Sequence, residues 1–150
     1  MVKSYQGERI QQEKEIKQFY VHQYMTQQVI TFSPEQTIDQ VVNVLTYRNI
    51  SGGPVCDEKK NLVGIISEGD CLKQVMNSAF SNVPSMSGYV KDHMVKEVKT
   101  LSPNQTIMQA AEQFLKLKIR RFPVMDEGKL VGQISQRDVM RAFQEMGMPG

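Results

Sequence analysis

The chain has 150 residues, 40% hydrophobic and 23% charged, with a formal charge of +2 and 2 cysteines. That length buries roughly two-thirds of the unfolded surface, enough for one compact domain or two small ones. No apolar run approaches the roughly 18 to 20 residues of a membrane span, the N-terminus is too polar for a secretory leader, two cysteines make no disulfide framework, and the mild charge calls for neither nucleic acid nor anionic lipid, so a soluble cytoplasmic protein is expected.

In chain order, residues 5–24 set Ile10, Ile16, Phe19 and Tyr20 among Glu, Lys and Gln. This is the pattern of an amphipathic helix that caps the core or meets a partner chain. An internal repeat follows. Residues 24–58 match 93–127 at 14 of 35 positions, and 60–75 match 128–143 at 6 of 16, with Lys59 skipped, so the chain is a duplicated unit. Each copy opens on a short β-branched strand, Val29-Ile30-Thr31 or Val98-Lys99-Thr100, that runs into Ser-Pro and stops. Thr37-x-x-Gln40 and Thr106-x-x-Gln109 are capping boxes. Behind them Ile38, Val41, Val42 and Leu45, or Ile107, Ala110, Ala111 and Phe114, fall on one helical face. Two short apolar runs around Pro54-Val55-Cys56 and Leu62 to Ile66 then predict a hairpin, as do Pro123-Val124-Met125 and Leu130 to Ile134. Ser67 and Ser135 open a final helix with Leu72, Val75 and Met76, or Val139, Met140 and Phe143, on its buried side. The Ser-, Asn- and Pro-rich stretch 77–88 reads as the connection between copies. The class is α+β: an N-terminal helix over 1–21, a βαββα unit over 22–80, a linker at 81–88 and a second unit over 89–150.

Read in order and twice over, these phrases resemble the cystathionine-β-synthase (CBS) domain. The matching residues are Met25-Thr26 and Met94, Thr31-x-Ser33-Pro34 and Thr100-x-Ser102-Pro103, then Ile50 to Asp57 and Ile119 to Asp126. They close with Leu62-Val63-Gly64-Ile65-Ile66-Ser67-x-x-Asp70 and Leu130-Val131-Gly132-Gln133-Ile134-Ser135-x-x-Asp138. The resemblance spans about residues 22–146 and implies a stand-alone CBS pair, or Bateman module. In such modules two units pack through their sheets with pseudo-twofold symmetry, commonly dimerise into a flat disk, bind adenosine-containing ligands in clefts between units, and regulate a partner protein.

The Ser67-x-x-Asp70 and Ser135-x-x-Asp138 phrases each follow a strand and start a helix. Ser is a natural N-cap there, and a first-turn carboxylate is favoured by the helix dipole. The same carboxylate is also suited to a ribose diol, and free amides at a helix start welcome a phosphate. Their duplication within the family context favours ligand binding. Gly53, with Gly52, lets a flat ring approach the backbone. Phe122, its counterpart, stacks on a base or fills the core. Thr31 and Thr100 offer hydroxyls near a base, although a β-branched strand residue explains them nearly as well. Arg120 and Arg121 replace Ser51 and Gly52, and Arg137 replaces Gly69, so the two sites are expected to be unequal. The resemblance implies that Arg120 or Arg121 faces the ligand whose ribose rests on Asp70. The Asp138 cleft then looks toward Ser51, Gly52 and Gly53 and keeps Arg137 for charge.

Catalysis has little support. His22 and His93 are not equivalent in context, Cys56 lies in a predicted buried strand, Cys71 has no neighbouring base, and no spacing suits zinc. The 10 methionines read as soft core filling. The expectation is therefore no enzyme, no metal and no cofactor. The leading reading is a sensor for an adenine nucleotide (AMP, ADP or ATP) acting on an unknown partner through two conformations. The rivals are a ligand-free scaffold or dimerisation module and a sensor of S-adenosylmethionine or a cyclic dinucleotide. The lack of a basic stripe speaks against nucleic acid. A homodimer is expected through Met76, Ala79 and Phe80, and through Met140, Phe143 and Met146.

Overall fold

The structure is a computed structural model that describes residues 19–80 and 88–147. Its elements are α1 (Val21–Tyr24), α2 (Ile38–Arg48), β1 (Gly52–Cys56), β2 (Leu62–Ser67), α3 (Glu68–Phe80), α4 (Val90–His93), α5 (Ile107–Leu117), β3 (Arg121–Asp126), β4 (Lys129–Ser135) and α6 (Gln136–Glu145). Both capping boxes form. The Thr37 hydroxyl accepts from the Gln40 amide at 3.3 Å while the Gln40 side chain accepts from the Thr37 amide at 3.0 Å; Thr106 and Gln109 repeat this at 3.1 and 2.9 Å. Two of the orphan amides at each helix start are thereby satisfied. Ile38, Val41 and Leu45, and Ile107, Ala110 and Phe114, are buried as their spacing requires.

Both hairpins form as well. β1 and β2 are antiparallel, with Gly52 opposite Ser67 and an irregularity after Val55; β3 pairs with β4. The turns differ because of the extra residue in copy one. Asp57 Oδ1 closes that turn by accepting from the amides of Lys59 (2.9 Å) and Asn61 (2.8 Å). The Asn61 amide, then its side chain and the Lys59 amide, hold the Asp57 carboxyl below its ordinary range. Copy two turns on Glu127 and Gly128, at φ 49° and 79°, the positive values a two-residue hairpin needs.

The described residues form two compact units. One comprises residues up to Gln28 with Lys99–Glu127 and Val131 onward; the other comprises Val29–Val98 with Gly128–Leu130. The segment preceding each repeat therefore belongs to the other repeat's unit. Val21 is fully buried among Ile107, Phe114, Phe122 and Ile134, and Val90 among Phe32, Ile38, Val55 and Ile66. The first amides of α1, on Val21 and His22, donate to the carbonyls of Gln105 (2.9 Å) and Pro103 (3.1 Å). Those of α4, on Val90 and Lys91, donate to Gln36 (2.9 Å) and Pro34 (3.1 Å). Thr26 then pairs with Gln133 and Val95 with Ile65, each through two hydrogen bonds of 2.8 and 2.9 Å. Gly132 and Gly64 make room for this. A Cβ on Gly132 would stand 2.6 Å from Met25 Sδ and 2.8 Å from the Thr26 oxygen; one on Gly64 would stand 2.5 Å from Met94 Sδ and 2.9 Å from the Val95 oxygen.

Several expectations need correction. Val29-Ile30-Thr31 and Val98-Lys99-Thr100 are not strands: the pairing shrinks to single parallel bridges one residue later, Phe32 to Val55 and Leu101 to Val124. The final helices keep only part of the expected face: Val139 is buried as expected and Val75 and Phe143 are half-buried. Cys71, Val139 and Ala142 are buried, whereas Leu72 is 61% and Met140 63% exposed, with Met76 also exposed. The small side chains of Cys71 and Ala142 take inward positions that the larger Leu72 and Met140 do not. Residues 77–80 continue α3 rather than starting the connection. The helix expected over 5–24 falls largely outside the described residues.

Because the atoms facing both glycines include backbone, alanine cannot be accommodated by a side-chain shift alone. Gly132→Ala and Gly64→Ala should each cost about 1–3 kcal/mol, the range for overpacking. Urea titration checks this; an unchanged midpoint would show that the methionine segments yield freely.

Candidate functional site

The two Ser-x-x-Asp phrases build near-identical helix starts. In copy one the Ser67 amide and hydroxyl both donate to Asp70 Oδ2 at 2.9 Å, and the Asp70 amide donates back to Ser67 Oγ at 3.3 Å. In copy two the corresponding distances are 2.9, 3.0 and 3.2 Å between Ser135 and Asp138. Both carboxylates therefore cap, as their position in the first turn of α3 and α6 favours. Capping uses one oxygen only. Among the described residues no donor reaches Oδ1 of Asp70, whereas Oδ1 of Asp138 lies 3.7 Å from Arg141 Nη2.

The residue before each hairpin is tied to the same helix start. The Ser51 carbonyl accepts from the Glu68 amide at 2.8 Å, and the Arg120 carbonyl from the Gln136 amide at 3.2 Å. These bonds bring Ser51 and Gly52 to the Ser67 cap, and Arg120 and Arg121 to the Ser135 cap. The charge difference is therefore local: Arg120, Arg121 and Arg137 flank the start of α6, where α3 has Ser51, Gly52 and Gly69. Arg120 and Arg137 are exposed. Arg121 is half-buried, and its Nε is shielded from solvent with no acceptor. A buried donor of a charged group without a partner is costly, on the order of 1–3 kcal/mol or more.

Other candidates take different places. Thr31 and Thr100 are exposed, each one residue before its unit's parallel bridge. Phe122 leaves the candidate site. It is 1% exposed, its ring centroid lies 4.7 Å from that of Phe114, and so it has no face for a base. Gly53 is buried, and the close approach it permits comes from its own unit: a Cβ there would meet the Ile30 oxygen at 2.7 Å and the Phe32 ring at 3.0 Å.

Sequence reasoning missed Arg141. Its Nη2 donates to the Tyr24 carbonyl at 3.2 Å, and its Cζ lies 5.9 Å from the Tyr24 ring centroid. Burial first, then the neighbouring Glu145 carboxylate, push the Tyr24 hydroxyl up from its usual pKa. The spacing of three from Asp138 was a visible signal; the partnership with Tyr24 was not. The thiols offer little nucleophilicity, since burial and then Asp57 push Cys56 up, and burial and then Asp70 push Cys71 up. Among the described residues no group of three His, Cys, Asp or Glu side chains is placed to hold a metal ion, and no helix is long and apolar enough to cross a membrane.

If Phe122 is core alone, Phe122→Ala should cost about 3–5 kcal/mol by cavity formation. Phe122→Leu should leave ligand affinity unaltered in calorimetry. A selective loss of affinity in the leucine variant would return the ring to the site.

The family model for the CBS domain matches residues 21–77 and 90–145. Inosine-5′-monophosphate dehydrogenase of Methanocaldococcus jannaschii is 32% identical over 114 residues, 75% of this chain but 21% of that protein. The chain likewise spans 41% of the uncharacterized protein MJ1225 of the same organism, to which it is 25% identical. Among solved structures, CBSX2 in complex with AMP is 28% identical with a TM-score of 0.75, covering 86% of this chain and 98% of that one. The CBS domain pair of protein MJ0100, in complex with 5′-methylthioadenosine and S-adenosyl-L-methionine, is 25% identical with a TM-score of 0.69, covering 84% and 96%. With both repeats matched and the same units of helix and two-stranded sheet present, the chain belongs to the CBS domain family and carries two of its domains in tandem.

Proposed function

We propose that this chain is a regulatory module that binds an adenosine-containing ligand, with AMP the first candidate, and passes its occupancy to a partner protein. The observation that carries the reading is the duplicated helix-start carboxylate. Asp70 and Asp138 each spend Oδ2 on the cap, and Asp70 presents an Oδ1 that no described donor reaches. A carboxylate so held is a preorganised acceptor for vicinal hydroxyls, as an acidic residue is for ribose in dinucleotide folds. Support comes from CBSX2, solved with AMP, and from MJ0100, solved with two other adenosine compounds. Arg121, with its shielded and unpartnered Nε, supplies the phosphate contact, aided by Arg120 and Arg137. Ser67, Ser135, Thr31 and Thr100 are the neutral groups of the two sites.

A thermal-shift panel of adenosine, AMP, ADP, ATP, S-adenosylmethionine and a cyclic dinucleotide tests this. A ligand at about a hundred times its Kd stabilises by roughly 2.7 kcal/mol, a clear rise in Tm. Asp70→Ala with Asp138→Ala should abolish the shift while each lost helix charge costs only about 0.3–1 kcal/mol. Arg121→Ala should lower affinity for AMP or ATP about ten- to a hundredfold relative to adenosine, the worth of a charge-assisted hydrogen bond. Wild-type affinity in the double aspartate variant reduces both residues to caps.

A second reading concerns assembly. Leu72 and Met76 on α3 and Met140 on α6 are large apolar side chains exposed on the described surface. They favour docking of a second copy of this chain, alongside the ligand role. Light scattering should report a dimer at micromolar concentration, and Leu72→Glu with Met140→Glu should give a monomer. A monomeric wild type rejects this reading.

A further inference from the structure

We infer that Arg141 is a positioning residue that links the Asp138 carboxylate to α1, so that the state of Asp138 is felt where the chain enters that unit. One nitrogen, Nη2, serves both ends of the link. It donates to the Tyr24 carbonyl at 3.2 Å and stands 3.7 Å from Asp138 Oδ1. Tyr24 is the last residue of α1, so its carbonyl is one of the groups a helix end leaves without an internal partner. The anchor is firm at that end. Tyr24 is 8% exposed within the core that holds Val21, and the guanidinium lies against its ring. The Asp138 end is also firm, because Ser135 fixes Oδ2 through two bonds. Between these fixed points Nη2 can turn one N–H toward each acceptor, held in place by the rigid guanidinium plane that a flexible lysine stem lacks.

The link exists in one unit only. At the aligned positions the other unit has Asp70, Lys73 and His93, and among the described residues Asp70 makes no ion pair. The Arg141 side chain is half exposed, so water weakens each contact and the coupling is a matter of severalfold changes. Its regulatory meaning rests on the ligand reading above: a diol on Oδ1 shares the carboxylate with Arg141, and its binding energy is then linked to the hold on α1.

The test is hydrogen exchange at the amides of residues 21–26, whose partners include Gln105, Pro103 and Gln133. In the ligand-free full-length protein, Asp138→Asn keeps an acceptor for the cap and removes the charge. It should speed exchange at these amides two- to fivefold, and should add nothing when Arg141→Ala is already present. Additive effects of the two changes overturn the link. For the ligand arm, AMP is the probe in an Asp70→Ala background, where only Asp138 remains. AMP should slow exchange at residues 21–26; Arg141→Ala should raise its Kd about three- to tenfold and erase that slowing, and Arg141→Lys should not restore it. Slowing that survives Arg141→Ala overturns the coupling. Failure of AMP to bind while the ligand-free pair stays non-additive refutes the ligand reading and supports the link.

Discussion

Everything else in this protein depends on the exchange of short segments between the repeats. Val21 and Val90 are completely buried, and each completes a core otherwise built from the opposite repeat. The exchange is held by obligatory backbone bonding rather than by apolar burial alone. Short helices cannot satisfy their first amides, and a buried unpaired N–H is costly. The Ser-Pro-x-Gln turns solve this by presenting two carbonyls each, from Pro103 and Gln105 or Pro34 and Gln36, to the incoming amides. The turns are rigid enough for that task because Gln36 and Gln105 accept from the amides of Ser33 and Ser102, both at 2.8 Å. Neither CBS domain is therefore closed by its own contiguous sequence.

That constraint also sets the sites. Each Ser-x-x-Asp helix start sits at the end of a β-strand whose partner positions are fixed, on one side by the hairpin and on the other by the exchanged segment through Thr26–Gln133 or Val95–Ile65. A carboxylate that both caps a helix and presents a second oxygen can keep its geometry without a ligand, which lowers the ordering cost of binding. Capping and recognition are thus compatible roles of one side chain. The same compactness explains why Arg141 can touch both Asp138 and α1: α1 packs on α6 because the exchanged segment passes there.

Much of this was legible in the residues. The capping boxes, both hairpins and the duplicated helix starts follow from local chemistry, and each was set by contacts within four residues or across a tight turn. What could not be read lies between residues distant in sequence. Met25 against Gly132 and Met94 against Gly64 appear in the chain as two recurring phrases, with nothing to say that each phrase packs on the other copy's partner. The short first strand failed for a related reason: β-branched residues indicate extended backbone, but a single bridge at Phe32 or Leu101 is all the neighbouring strand allows. The final helices misled through size. Leu72, Met76 and Met140 look like core, yet the inward positions beside the expected Val139 are held by Cys71 and Ala142.

The two copies diverge in opposite ways inside and outside. In the cores, one large change comes as a compensating pair. Where copy one sets Phe32 over Gly53, copy two sets Leu101 beside Phe122, so a ring is present in both and comes from the bridge segment in one copy and from the hairpin in the other. Close packing demands such compensation, because a ring added or lost alone would cost several kcal/mol. At the helix starts no compensation accompanies the change. Ser51, Gly52 and Gly69 face Arg120, Arg121 and Arg137 in the alignment, and among the described residues none of these three arginines forms an ion pair. The shielded, unpartnered Nε of Arg121 costs stability. A charge cluster that gathers at one helix start without a partner in the fold is the difference between the copies on which the proposed anion contact rests.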